Sequence, residues 1–169
     1  MTTPARRTRT AAALLVIGAL ALAACGSDAK VTETKDGKVT VDGSGKKAKV
    51  TIQGENGNTI TFNEQKVPGD FPGDVPLPAK VQLQAATSGT RGNQKYFQLS
   101  YTLGKASARE TVGAYATKLG DAGFTVDQTD TTGTDQIPSP MQADGKGWHV
   151  LAIANGAGSG SMIVTVSSA

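Results

Sequence analysis

The 169-residue chain contains few of the side chains from which active sites and metal centres are usually built. It has one cysteine and one histidine, and only 5% of its residues are aromatic. A single cysteine cannot form an internal disulfide bond. One histidine with one cysteine also supplies too few ligands for a structural zinc site. The composition therefore predicts no catalytic residue, no metal and no cofactor.

A charge excess is also missing once the first residues are set aside. The chain has 17 Lys and Arg against 14 Asp and Glu, which gives a formal charge of +3. The only charged residues before Cys25 are Arg6, Arg7 and Arg9, and without them 14 basic residues balance 14 acidic ones. A neutral body gives no electrostatic steering toward nucleic acid. We therefore expect no nucleic-acid partner.

The longest apolar run is too short for an ordinary membrane span. Residues 11–24 (AAALLVIGALALAA) are uncharged, whereas a spanning helix needs about 20 apolar residues. The three arginines precede this run and polar residues follow it at once, which is the layout of a signal peptide. The sequence predicts that residues 1–24 are a signal peptide and that the chain is exported.

The apolar run ends in Leu22, Ala23, Ala24 and Cys25, and this pattern resembles the lipobox of bacterial lipoproteins. The resemblance implies that the Cys25 sulfur carries a diacylglyceryl group through a thioether. It also implies that a dedicated signal peptidase recognises the three residues before Cys25 and cuts there, and that the Cys25 amine is in some cases acylated too. Two acyl chains anchor a protein stably, whereas one binds only marginally. We expect a protein anchored by lipid to the outer face of the cell membrane, with residues 25–30 as its tether.

Three alternatives stay open for this segment. Ala21-Leu22-Ala23 also fits the A-x-A site of the ordinary peptidase, which would release a soluble protein. Arg6-Arg7 is the pair found in twin-arginine signals, although the apolar residues expected directly after that pair are absent. In the third alternative Cys25 is an incidental residue of an uncleaved anchor.

Residues 31–66 contain short runs in which apolar and polar residues alternate. The apolar positions of these runs are Val39 and Val41, then Ala48, Val50 and Ile52, then Ile60 and Phe62. Turn sequences at 36–37, 43–45 and 56–57 separate the runs, and Asp-Gly and Asn-Gly are strong hairpin signals. We predict a small β-meander. Residues 67–79 then hold four prolines, which favours a semi-rigid connector over a proline-rich ligand.

Residues 80–169 are predicted to form the main domain. Ser107 and Glu110 have the spacing of a capping box and begin the one convincing helix, which ends before Gly123. The predicted strands are 81–85, 97–103, 124–126, 147–154 and 161–166, with loops at 88–93, 131–146 and 155–160. The order β-β-α-β-β-β predicts an α+β fold, with one helix packed on a mostly antiparallel sheet.

The motif Phe71-Pro72-Gly73-Asp74-Val75-Pro76-Leu77-Pro78 follows a Thr- and Gly-rich β segment and leads into the main domain. Together with the lipobox, this pattern resembles lipoproteins of uncharacterised function from Gram-positive bacteria. The resemblance covers most of the mature chain. It implies a fold and a location, and it implies no chemistry.

Candidate functional residues are few. His149 stands in a strongly apolar strand and is interpreted as facing solvent or a cross-strand neighbour. Asp127, Asp130 and Asp135 lack EF-hand spacing and are interpreted as loop residues rather than calcium ligands. The long loop at 131–146 holds Ile137 and Met141 in polar surroundings. Its two interpretations are a loop that tucks both side chains onto the sheet, which is favoured, and a contact surface for a partner.

The leading hypothesis is a non-enzymatic binding or accessory module of the cell envelope. It would contact an envelope protein or a wall polymer through its sheet or through the loop at 131–146. The alternative is a carrier of a lipid or other apolar ligand, since Gly113, Ala116 and Gly120 leave room for a cavity beneath the helix. The same small residues suit close helix packing equally well. An enzyme is the least favoured class and would depend on His149 as its base.

Overall fold

Ten strands and one helix make up the described part of the chain, and all ten strands form a single sheet. The computed structural model describes residues 30–34, 37–43, 49–54, 57–127, 139–156 and 160–169. Every neighbouring pair of strands in the sheet is antiparallel. The predicted class, a mostly antiparallel sheet with one packed helix, is confirmed.

The strands are β1 (Lys30–Thr34), β2 (Gly37–Asp42), β3 (Lys49–Gly54), β4 (Thr59–Glu64), β5 (Gln82–Arg91), β6 (Gln94–Thr102), β7 (Thr125–Asp127), β8 (Ser139–Gly145), β9 (Trp148–Asn155) and β10 (Ser161–Ser168). The helix α1 (Ala108–Asp121) lies between β6 and β7 in sequence. In space the strand order is β1-β2-β3-β4-β5-β6-β10-β9-β8-β7. The first four strands thus extend the main sheet sideways through the pairing of β4 with β5.

Two segments predicted as loops are strands. The loop expected at 88–93 shrinks to a turn at Gly92 and Asn93, because β5 continues to Arg91. Within the loop expected at 131–146, residues 139–145 form β8, which pairs with β7 and β9. The main domain therefore has one strand more than the predicted order.

One face of the sheet, here named the helix face, carries the core. Alternate residues of β6, β8, β9 and β10 point to it and are buried, and α1 packs over β7, β8 and β9. The most deeply buried side chains from this layer include Phe97, Leu99, Met141, Val164 and, from the helix, Tyr115. Burying each such side chain contributes about 1.5–3 kcal/mol, so this layer is the main source of stability.

The helix begins as predicted. The Ser107 hydroxyl accepts the backbone N–H of Glu110 at 3.2 Å, and the Glu110 carboxylate accepts the backbone N–H of Ser107 at 3.1 Å. This reciprocal capping box satisfies backbone donors that would otherwise lack partners. Gly123 follows the helix with φ +86°, a conformation that favours glycine.

The connector covers the helix face beside α1. Phe71 meets Phe97 edge to face, with ring centroids 5.4 Å apart, and Val75 is buried in the same core. Lys118 of the helix donates to the backbone carbonyl of Leu77 at 3.0 Å. The connector and the helix together shield this face from water, and the opposite face of the main sheet, here named the open face, is left uncovered by them.

The four-strand extension reverses this polarity. The apolar side chains of β2 to β4 lie on the open face, where strand pairing places Val39, Val41, Val50, Ile52, Ile60 and Phe62 together, whereas Val31 of β1 pairs with Thr40 and lies on the helix face. We name the six open-face residues the meander patch. On its helix face, β2 to β4 present only polar side chains, among them Thr51 and Thr61, whose hydroxyls hydrogen-bond at 3.3 Å.

Candidate binding surface

The residues of the predicted lipid anchor lie outside the described part of the chain. These are Cys25 and the three residues Leu22, Ala23 and Ala24 of the recognition sequence. The first described residue is Lys30, at the start of the edge strand β1. Among the described residues, no helix has the length and apolar character needed to cross a lipid bilayer.

The predicted contact loop is only partly described. Ile137 lies outside the described residues. Met141 lies in β8 and is fully buried on the helix face. A side chain without solvent exposure cannot present a contact surface, so Met141 belongs to the core, where it lies as part of a strand and not of the predicted loop.

Three exposed apolar side chains stand together on the open face of the main sheet. Leu151, Ile153 and Ile163 are 36%, 38% and 41% exposed, and we name them the isoleucine patch. Ile153 and Ile163 are direct cross-strand partners on β9 and β10, and Pro140 is the partner of Ile153 on β8. The three exposed residues therefore form one contiguous apolar surface rather than scattered side chains.

Polar residues surround the isoleucine patch. Ser100 lies opposite Ile163 on β6, Thr165 lies opposite Leu151 on β10, and Gln142 lies opposite Leu151 on β8. An apolar centre with a rim of hydroxyl and amide groups is the usual anatomy of a protein–protein contact. In the sequence, this surface corresponds to alternate positions of residues 148–155 and 161–168. The alternation shows that each strand has two faces, but it does not show which face is covered.

His149 lies on the open face, as predicted, and its ring Nδ1 hydrogen-bonds to the carboxylate of Asp144. The two residues are direct partners across β8 and β9, and Ser167 is the partner of His149 on β10. The carboxylate can only accept, so the neutral ring carries its hydrogen on Nδ1 and leaves Nε2 as the basic nitrogen. Asp144, His149 and Ser167 thus form a row in the order of a catalytic triad.

The exposure of this row to solvent indicates that His149 and Asp144 are a pair on the surface and not part of a catalytic site. The side chains of His149 and Asp144 are 58% and 62% exposed, and together with Ser167 and Leu151 they line a shallow depression of about 360 Å³. Triads act in dry sites beside an oxyanion hole, where charges interact strongly. Exposed ion pairs contribute little to stability. The sequence interpretation missed Asp144 and Ser167, although a two-residue turn at Lys146-Gly147 would have placed Asp144 opposite His149.

A second, polar groove of about 270 Å³ lies on the helix face of the extension. It runs between the strands β3 to β5 and the start of the connector, and its lining includes Lys49, Thr61, Asn63 and Asp70. Two more of its hydroxyls, those of Thr59 and Thr90, hydrogen-bond to each other at 2.9 Å. Such cross-strand hydroxyl pairs stabilise the sheet.

Two tyrosines in the core have hydroxyl groups that find no hydrogen-bond partner among the described residues. Tyr101 on β6 and Tyr115 on α1 are both buried, and their hydroxyl oxygens contact no solvent. Burial raises the pKa of Tyr101 to about 12. Burial, and then the nearby Tyr101, raise the pKa of Tyr115 still further above its usual range. Both phenols therefore stay neutral at physiological pH.

The three small residues of the helix have different surroundings. A methyl group added at Gly113 or at Gly120 would meet no atom within 4 Å, and Gly120 is exposed. Ala116 packs against the core. Both glycines therefore adjoin open space, whereas Ala116 contributes to helix packing.

No metal cluster is found within the described ranges, where no three side chains of His, Cys, Asp or Glu come together. Asp127 ends β7 and is exposed, whereas Asp130 and Asp135 lie outside those ranges. Comparison of the chain with protein-family models, with curated proteins and with solved structures gives no match.

Proposed function

We propose that this chain is an exported lipoprotein, anchored by lipid on Cys25, that acts as a non-enzymatic binding module on the outer face of the cell membrane. Its binding surface is the isoleucine patch, and its partner is a protein of the cell envelope. The observation that carries this proposal is the pairing of Ile153 with Ile163 on a face that neither the helix nor the connector covers.

The finer organisation of the chain belongs to the same proposal. The strands of residues 31–66 form a small meander ahead of a main β-β-α-β-β-β domain that is enlarged by β8. The meander links the tether to the domain and sets the distance between the membrane and the isoleucine patch. Because neighbouring strands lie about 4.8 Å apart, β10 lies about 29 Å from β1 along the sheet.

The test is site-specific photo-cross-linking of the full chain in intact cells. A photoreactive amino acid at position 163 should capture one envelope protein, which mass spectrometry then identifies. The matched control is position 117, an exposed position on the outer side of α1. Capture at position 163 should be lost in the Cys25→Ala variant, because the unanchored protein leaves the membrane surface.

Two results would contradict the proposal. Capture of the same proteins at positions 163 and 117 would show that cross-linking reports proximity and not a binding surface. Absence of any captured protein, combined with an apolar small molecule that co-purifies with the protein, would favour the carrier.

A further inference from the structure

The meander patch is an apolar surface that no described element covers. Its residues alternate with polar ones, so that the described side chains of β2 to β4 are apolar on the open face and polar on the helix face. The helix contacts β7, β8 and β9, and the connector lies on the helix face beside Phe97. Phe62, on the β4 side of the patch, is 43% exposed, Val39 is 9% exposed, and the other four side chains are partly buried. The water contact that these side chains keep, above all that of Phe62, is unfavourable.

The chain length between the predicted anchor and the first strand limits what can cover this patch. Cys25 and Lys30 are five residues apart, and an extended chain spans at most about 3.6 Å per residue. If Cys25 carries lipid, β1 therefore stays within about 18 Å of the bilayer surface. β4 lies three strands away from β1, which adds about 14 Å. Of the two apolar patches on the open face, the meander patch is thus the one that the tether holds nearer to lipid.

The border of the patch has the chemistry of a membrane surface. Tyr96 and Arg91 line a shallow groove together with Ile60. Tyrosine and arginine place an apolar body next to lipid chains and a polar end in the headgroup layer. Among the open-face positions of β2 to β6 whose side chains are described, the one charged residue is Arg91. Little charge would have to be removed from water on contact.

The twist of the sheet separates this patch from the isoleucine patch. Neighbouring strands rotate by about 20–25° relative to each other, and β10 lies four strands from β3. With this average twist, the two patches would face directions that differ by about 90°. When one lies on a bilayer, the other points sideways along the membrane surface, where an envelope protein can reach it.

We infer that the meander patch rests on the lipid bilayer to which Cys25 is attached, and so fixes the orientation of the protein on the membrane. This inference depends on the lipid anchor of the proposed function. It adds a second contact with the membrane that sets orientation rather than attachment, because the two acyl chains already anchor the protein stably.

The test uses the purified lipidated protein in vesicles of phosphatidylcholine and phosphatidylglycerol. A bimane fluorophore is attached to a new cysteine, Phe62→Cys, while the thioether on Cys25 blocks labelling there. A fraction of the lipids carries a nitroxide, which quenches bimane only at short range. Bimane at position 62 should be quenched several-fold more strongly than bimane at two control positions. These are Ile163→Cys, which replaces an equally exposed residue of the same face, and Thr61→Cys, which lies on the other face of β4.

Equal quenching at positions 62, 61 and 163 in a protein whose Cys25 carries lipid would overturn this inference and leave the proposed function intact. Shielding of position 62 from water without quenching by lipid nitroxide would mean that a second copy covers the patch, which also overturns it. A mass spectrum that shows no lipid on Cys25 would remove the basis of both the inference and the anchoring.

Discussion

The hydroxyl groups of Tyr101 and Tyr115 are an exception to the rule that buried polar groups are hydrogen-bonded. An unpartnered buried hydroxyl costs about 1–3 kcal/mol, because it loses its hydrogen bonds to water and gains none. Both residues stand between the sheet and the helix, where their rings fill the core. The rings therefore stabilise the fold, whereas the oxygen atoms weaken it.

Replacement of one of these hydroxyls should make the protein more stable. We expect Tyr115→Phe to raise the free energy of unfolding by about 1 kcal/mol, because the ring stays and the unsatisfied oxygen is removed. Urea unfolding, followed by the fluorescence of the single tryptophan Trp148, measures the change. The control is Tyr96→Phe, because the Tyr96 side chain is half-buried and lies on the open face. This variant should change the free energy of unfolding by less than about 0.5 kcal/mol. A loss of stability in Tyr115→Phe would mean that a buried water satisfies the hydroxyl.

At the scale of elements, the hairpin of β8 and β9 organises much of the surface. Its turn consists of Lys146 with φ +52° and Gly147 with φ +79°, the two left-handed residues of a type I′ turn. This turn sets the register that pairs Asp144 with His149 and Pro140 with Ile153. A change of register by one residue would move Met141 out of the core.

Gly147 is the residue on which this hairpin most depends. We expect Gly147→Ala to lower the free energy of unfolding by about 1–2 kcal/mol, the cost of a left-handed residue with a side chain. A methyl group there would meet no atom within 4 Å, so the cost comes from the backbone alone. Gly73→Ala is the matched control, since it also meets nothing and has no positive φ. Equal unfolding midpoints for the two variants would contradict this account of the turn.

The class of the fold and the capped helix could be predicted because both depend on local patterns. Ser107 and Glu110 are three positions apart in the sequence and hydrogen-bond to each other. The alternation of residues 97–103 predicts a half-buried strand. The extent of β5 could not be predicted in the same way. Gly89 is tolerated there because the ring of Tyr96, its cross-strand partner, lies against it, and that contact depends on the register of β6.

The strand β8 was missed because of its proline and its polar residues. Proline lacks a backbone N–H and is confined in sheets to edge strands, strand starts and bulges. Pro140 is the second residue of β8 and pairs with Ile153 of β9. Sequence alternation does not show that a proline at such a position is tolerated.

The sequence predicted the two strands that carry the isoleucine patch, but it did not predict that these three side chains are exposed. Leu151, Ile153 and Ile163 are of the residue types that usually face a core, so the sequence does not mark them as exposed. Their exposure follows from the position of α1 over β7, β8 and β9 on the other face. The binding surface is therefore a property of the layer arrangement and not of a motif.

On the scale of the whole molecule, the sheet is long and unevenly covered. Its nine strand spacings span about 43 Å, with the predicted tether at the β1 edge and the helix near the β7 edge. Residues 25–169 carry equal numbers of basic and acidic residues. Apolar contacts, rather than electrostatic attraction, are therefore the interactions by which such a molecule would hold its partners.

The anchor on Cys25 is the central claim, because the orientation and the partner both depend on it. The most direct test is mass spectrometry of the amino-terminal peptide of the full chain, isolated from the membrane fraction of expressing cells. The account predicts a peptide that begins at Cys25 and carries a diacylglyceryl group, and an unprocessed precursor in the Ala24→Lys variant. A soluble protein that begins at Ala24, with a free Cys25 thiol, would contradict it.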